Sequence, residues 1–301
     1  MGAESSRRPS GVLSRLMAAG LLPRKPLGQH FLHDPKLLAS LALESRVGPG
    51  DRVLEIGTGP GTLTRELALR ASSVLTVDVD EALLDFAASD LKDFQNITFL
   101  QLDALEKGRP RGLRIRGSLL KAVEPLGPFL WVSNLPYSIA TPLIVLFCES
   151  SLPWTRAVLL VQAEVAERIS AAAGKDAYGP VSALVAYWAK TRLGRKIPPG
   201  AFWPPPRVHS RVLHLERLTP LGAAGEYEGY RAWVKELFPF RRKQIQKLLR
   251  AIVGEPLSRK IIEERGWNPA SRPESLSPQD FLYLSRTYSL KSKRGLGEKA
   301  S

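Results

Sequence analysis

The run Gly57-Thr58-Gly59-Pro60-Gly61 stands where a short β-branched stretch, RVLEI, gives way to a helical segment opening near Thr62. Glycines at such a junction let the backbone turn tightly and approach a ligand, and the start of the helix leaves N–H groups free to meet it. The spacing is G-x-G-x-G rather than G-x-G-x-x-G, and Pro60 removes one amide that a pyrophosphate would use. Acidic residues follow the next two strands: Asp78 closes SVLTV and Asp103 follows ITFLQL. In an open α/β sheet the ligand lies across the carboxyl ends of the strands, where Asp78 can chelate ribose hydroxyls and Asp103 can accept from an adenine amino group. These residues suit an adenosine-containing cofactor that need not carry phosphates. Metal chemistry has no comparable support, because Cys148 is the single cysteine and His30, His33, His209 and His214 lack H-E-x-x-H spacing. One thiol also excludes an internal disulfide and points to a reducing compartment.

A further strand, FLWVS, runs into Asn134-Leu135-Pro136-Tyr137. This tetrapeptide resembles the (D/N/S)-P-P-Y class of motif in S-adenosylmethionine-dependent methyltransferases that act on exocyclic amino groups. The residue types fit that chemistry. The N6 lone pair of adenine is delocalised into the ring and is a poor nucleophile. The Asn134 side-chain oxygen and the Leu135 carbonyl, held by the rigid Pro136, can accept from the N6 protons, so that the lone pair points at the sulfonium methyl. Tyr137 offers a flat face on which an extruded base can stack.

These residues need a scaffold that delivers strand ends to one crevice. From residue 52, short β-branched runs alternate with amphipathic helical ones, the pattern of a parallel sheet covered on both faces. RLGRKI and RVLHLER, joined through a proline-rich turn, are expected to pair antiparallel at the sheet edge. After about residue 217 only helical patterns remain, including RRKQIQKLLRAIV and a final helix announced by Ser277-Pro278. The expected organisation is a basic flexible arm over residues 1–26, an α/β doubly wound, Rossmann-like methyltransferase domain over 27–216, and a smaller all-helical domain over 217–301 whose last dozen residues are frayed. Pro9, Gly11 and Gly20 are taken to interrupt any helix in the arm, and the arm lacks the apolar region of a secretory signal.

The chain is 301 residues long, with 43 Lys and Arg against 29 Asp and Glu, a formal charge of +14. Three segments hold more than all of it: residues 1–30 (+4), 107–121 (+6) and 231–260 (+7). A polyanionic partner is the natural inference. Arg241, Arg242 and Lys243 are expected to fan around a helix start, with Arg242, Lys243, Lys247 and Arg250 forming a stripe opposite the apolar Ile245, Leu248, Leu249 and Ile252. No apolar run approaches the ~18 residues that span a bilayer, so no membrane is expected.

Several blocks carry a more specific resemblance: LGQHFL (27–32), VLEIGTGPGTLT (53–64), NLPYSIATPLI (134–144), VQAEVAERI (161–169), YGPVSAL (178–184), PPGAFWPPPRVHSRV (198–212), FPFRRKQIQKLL (238–249) and RPESLS (272–277). Over most of its length the chain resembles the KsgA-type small-subunit (16S) rRNA adenine N6,N6-dimethyltransferases. That resemblance implies cofactor contacts at His30, Leu32, Gly57, Gly59, Asp78, Asp103 and Asn134, and catalytic or base-holding roles for Asn134, Leu135, Pro136, Tyr137 and Phe202. The family usually has Asn at the position of His30 and Glu at that of Asp78, while the 107–121 stretch is longer and more basic than its usual counterpart. It further implies S-adenosyl-L-methionine as cofactor, two adjacent adenines of small-subunit rRNA in a pre-ribosomal 30S-type particle as substrate, rRNA binding through Arg241, Arg242, Lys243, Lys247 and Arg250, and a cytoplasmic monomer without metal. Two alternatives stay open: the related large-subunit rRNA adenine methyltransferases of the macrolide-resistance type, which the FRRK and RPESLS blocks disfavour, and a non-catalytic assembly or transcription factor on the same scaffold.

Overall fold

The structure is a computed structural model that describes residues 11–108 and 112–290. The first ten residues of the expected arm, Arg109 and Arg111 of the basic stretch, and residues 291–301 of the expected frayed tail lie outside the described residues. In chain order the first elements are α1 (Gly11–Ala18), β1 (Phe31–Leu32), α2 (Pro35–Glu44), β2 (Arg52–Ile56), α3 (Thr62–Ala68), β3 (Ser73–Asp78), α4 (Glu81–Asp90) and β4 (Ile97–Gln101). Next come β5 (Leu105–Lys107), β6 (Leu113–Ile115), α5 (Gly117–Val123), β7 (Phe129–Asn134), α6 (Ala140–Glu149), β8 (Trp154–Gln162), α7 (Ala163–Ile169) and α8 (Pro180–Ala186). The chain continues through β9 (Ala189–Ile197), β10 (Phe202–Trp203), β11 (Ser210–Arg217), α9 (Glu226–Leu237), α10 (Ile245–Val253), α11 (Glu255–Arg265) and α12 (Pro278–Thr287).

Packing divides the chain into two units, one of residues up to 166 together with 191–217, the other of 167–190 and everything from 218 on. Residues 167–190, placed by the sequence in the first domain, therefore belong with the helices. Buried tyrosines explain this: Tyr178 donates to the Leu276 carbonyl and Tyr230 to that of Ala183, bonds that no local pattern announces.

The first unit is built on a seven-stranded sheet of order β4-β3-β2-β7-β8-β11-β9. β2 runs parallel to β3 and β7, β3 to β4, and β7 to β8, while β11 lies antiparallel to β8. The two runs expected at the edge are neighbours there, with β11 inside and β9 outermost. Val53, Val74, Leu130, Val132, Val158, Leu160 and Val212 of the strands bury against Leu38 and Leu41 of α2 and Leu63 and Leu67 of α3. Each such side chain contributes about 1.5–3 kcal/mol by leaving water. Strand order reverses between β2 and β7, and the crevice beyond the carboxyl ends of those two strands is where such sheets bind ligands.

The expectation of a flexible arm is corrected by α1. Gly11 opens this helix and Gly20 lies just past its end, so neither interrupts it. Leu13 and Leu16, three residues apart and on one face, are buried with Phe31 and Leu83, and Val12, Phe86 and Trp203 pack against them. Arg15 adds an ion pair to Asp90 at 2.5 Å.

In the second unit α10 buries Ile245, Leu248 and Leu249 and exposes Lys247 and Arg250. Ser277 and Asp280 cap α12 reciprocally, each side chain meeting the other's backbone N–H.

Candidate active site

β2 delivers the glycine loop to the crevice. Gly57, Gly59 and Gly61 have φ values of +94°, +51° and +77°, a left-handed course that glycine alone adopts readily. Close approach adds a second reason at Gly57, where a Cβ would stand 3.1 Å from Pro136 Cδ and 3.2 Å from the Asn134 carbonyl oxygen. Beneath the loop, the wholly buried Glu55 accepts from Thr64 Oγ1 at 2.6 Å and Thr76 Oγ1 at 2.7 Å, and the Thr58 and Thr76 hydroxyls meet at 2.7 Å. Burial pushes the Glu55 carboxyl up to about 8, against the hydrogen bonds from Thr64 and Thr76. At neutral pH this carboxyl is therefore largely protonated.

β3 delivers Asp78. Its carboxylate accepts from Gly59 N at 2.9 Å and Asp80 N at 3.0 Å, which ties the end of β3 to the glycine loop. Burial raises its pKa above the usual carboxylate range, partly offset by those two bonds. Asp103, by contrast, is exposed, accepts from Leu105 N at 3.0 Å, and does not line the cleft.

β7 delivers the tetrapeptide. Asn134 Nδ2 donates to the His30 carbonyl at 3.0 Å, which fixes the amide flip, and its Oδ1 has no partner among the described residues. Leu135 is buried and bonded through its N–H to the Leu160 carbonyl at 3.1 Å. The Pro136 carbonyl accepts from Ile139 and Ala140, closing the turn into α6. Tyr137 bonds through its hydroxyl to Ser210 Oγ, and its ring stacks on that of His30 with centroids 5.1 Å apart and planes 29° apart. Burial raises the Tyr137 hydroxyl above its ordinary pKa, so it stays protonated.

These parts surround an open cleft lined by Gly57, Gly59, Asp78 and the Asn134–Tyr137 turn on one side and by Gly28, Gln29, His30 and Phe31 on the other. The second wall was legible only in part, since His30 alone was singled out there. Its clue was the LGQHFL block: Gly28, at φ +68°, lies so close to the turn that a Cβ would be 3.2 Å from Ser138 N. The wall is tied down by Arg24, whose guanidinium meets Asp80 at 3.3 Å and whose N–H donates to Gln29 Oε1 at 2.7 Å.

Besides Asp103, two more expected site residues lie off the cleft. Leu32 and Phe202 face each other across the β1–β10 pair and are both buried in the core beneath the sheet. In so short a strand, alternation turns Phe202 inward and leaves its neighbour Trp203, partly buried, against Phe31. The cluster expected to grip RNA is also redrawn. Arg241, Arg242 and Lys243 occupy a turn ahead of α10, whose N-cap is Gln244. The helical stripe is thus reduced to Lys247 and Arg250, with the other three exposed on the turn. Lys243 lies over the Phe240 ring at 5.0 Å, and Arg250 approaches Glu255 at 3.6 Å. Arg114 and Arg116 of the 107–121 stretch pair with Glu106 on the β5–β6 hairpin. Among the described residues no group of three or more His, Cys, Asp or Glu is placed to hold a metal, and no helix is long and apolar enough to cross a membrane.

A model of the ribosomal RNA adenine dimethylase family matches residues 21–289. A ribosomal RNA small subunit methyltransferase A from Moorella thermoacetica is 35% identical over 288 residues, covering 94% of this chain and 99% of that protein. Among solved structures, a dimethyladenosine transferase from Plasmodium falciparum superposes with TM-score 0.70 at 21% identity, covering 86% of this chain and 98% of the other. The 23S rRNA methyltransferase ErmE superposes with TM-score 0.65 at 24% identity, covering 85% of this chain and 98% of the other. Both likenesses speak to the fold.

Proposed function

This chain belongs to the ribosomal RNA adenine dimethylase family, and from that membership we propose that it transfers methyl groups from S-adenosylmethionine to N6 of two adjacent adenines in small-subunit rRNA, giving N6,N6-dimethyladenosine. The name of the Moorella relative, which acts on the small subunit and matches end to end, favours this over the large-subunit reading. A pre-ribosomal particle is the substrate, the cytoplasm the compartment, and the metal-free monomer the working form.

The cleft fits the cofactor on its own terms. Gly57 leaves space that a Cβ would fill, and Asp78 keeps lone pairs for ribose hydroxyls after meeting two backbone N–H groups. When bound, S-adenosylmethionine supplies an electrophilic methyl group on a sulfonium sulfur.

The observation that carries the proposal is the Asn134 amide. With Nδ2 committed to the His30 carbonyl, the acceptor Oδ1 is the atom left for a substrate. Together with the Leu135 carbonyl it would accept from the N6 protons, two before the first transfer and one before the second, and so draw the lone pair out of conjugation and aim it, each transfer releasing one N6 proton to solvent. Tyr137 holds the base by stacking and His30 supports the wall behind it. Leu32 and Phe202 serve the site as core packing beneath this wall. Arg241, Arg242, Lys243, Lys247 and Arg250 hold RNA phosphates. Asn134→Ala tests the assignment: methyl transfer should fall by about 10²–10³ while rRNA affinity is retained. Near-normal turnover would remove Asn134 from the chemistry.

A further inference from the structure

The stretch from Pro204 to Ser210, which leaves β10 and enters β11, carries no group that the chemistry above uses, yet its two ends hold both rings of the cleft wall. His30 Nδ1 lies 2.7 Å from the Pro204 carbonyl oxygen. A carbonyl only accepts, so the proton sits on Nδ1 and the imidazole is pinned in one tautomer and one orientation. Six residues on, Ser210 Oγ bonds to the Tyr137 hydroxyl. Ser210 is fully buried as the first residue of β11, opposite Gln162 of β8, and β8 itself pairs with the end of β7 at Asn134. The anchor is therefore rigid, set by sheet register instead of by a loop. The β1–β10 pairing, Phe31 opposite Trp203, fixes the other end in the same way.

We propose that Ser210 is a positioning residue for methyl transfer. Its hydroxyl holds the Oη end of Tyr137 and so restrains rotation about Cα–Cβ, fixing where the ring points, while the Pro204 carbonyl fixes the orientation of His30, so the stacked pair presents a prearranged face to the acceptor adenine. The inference rests on the reading of Tyr137 as the base-stacking residue. Tyr137 can rotate about its side-chain bonds once Ser210 releases its hydroxyl, and a base that follows the ring leaves the aligned geometry for transfer. Misplacement by about 1 Å lowers such rates by as much as about a hundredfold. The cofactor side of the cleft, formed by the glycine loop and Asp78, does not depend on this bond.

The test compares Ser210→Ala, Tyr137→Phe and the double variant with the wild type on under-methylated small subunits, with kcat and KM for RNA, cofactor affinity by calorimetry, and thermal unfolding. Tyr137→Phe breaks the same bond from its less buried end and guards against a folding defect in Ser210→Ala. Each single variant should lose about tenfold or more in kcat, the double variant should lose no more than either single one, and cofactor affinity should be unchanged. A wild-type kcat in folded Ser210→Ala, a loss of thermal stability alone, or additive losses in the double variant would each overturn the proposal. Failure of the wild type itself to methylate adenine N6 would instead overturn the functional reading on which it rests.

Discussion

Alanine at Gly57 meets two obstacles that can be separated. The first is conformational: at φ +94° an L-residue is strained, by about 1–2 kcal/mol. The second is contact. A Cβ there would be 3.1 Å from Pro136 Cδ and 3.2 Å from the Asn134 carbonyl oxygen, a proline ring and a backbone atom that cannot swing aside as a flexible side chain would. The turn must shift by a few tenths of an ångström, and that turn carries the cleft's acceptors. Gly20 supplies the control, since its φ is +72° but a Cβ there meets nothing within 4 Å. Gly20→Ala should therefore lose about 1–2 kcal/mol of stability in urea titrations, and Gly57→Ala at least as much, because the contact adds to the same conformational cost. Only Gly57→Ala should weaken S-adenosylmethionine binding in calorimetry, by about tenfold if about 1.4 kcal/mol of fit is lost. Unchanged affinity in Gly57→Ala, or an equal weakening in Gly20→Ala, would refute the placement of the cofactor against this loop.

Replacing Arg242, Lys247 and Arg250 together by Ala should flatten the slope of log K against log salt for rRNA by about 2 to 3 units, because all three are exposed and none lines the cleft; an unaltered slope would move the grip to another basic segment. Glu55→Gln should change how stability depends on pH. Since the carboxyl's folded pKa is raised from 4.5 to about 8, the wild type loses stability as pH climbs through that window. The variant should show a flatter profile in urea titrations at pH 5, 6.5 and 8, and parallel profiles for the two proteins would contradict the protonated, buried carboxyl.

The parts of the site that local sequence announces are those held by local geometry. RVLEI running into glycines declares a strand and a tight turn, and Asn134-Leu135-Pro136-Tyr137 declares a rigid bend after a strand. What could not be read depends on distant partners. Gly11 and Gly20 look like helix breakers until Leu13 and Leu16 find Phe31 and Leu83, after which the glycines simply bound α1. Arg241, Arg242 and Lys243 have the composition of a helix, but the chain turns through Phe238–Phe240 and starts α10 only after Gln244. Phe202 carries an aromatic ring of the expected kind, and a two-residue strand decides that it points into the core. Ser210 lies in the PPGAFWPPPRVHSRV block, but its bond is to a residue 73 positions away, which no local pattern announces.

Methyl transfer to N6 of small-subunit rRNA is tested most directly by incubating the protein with isotopically labelled S-adenosylmethionine and separately prepared, under-methylated small and large ribosomal subunits. The rRNA is then digested and its nucleosides weighed by mass spectrometry. Label should appear in small-subunit RNA as N6,N6-dimethyladenosine, at two adjacent adenines, and should be absent from large-subunit RNA. Labelled adenosine confined to large-subunit RNA, or no labelled adenosine in either, would contradict it.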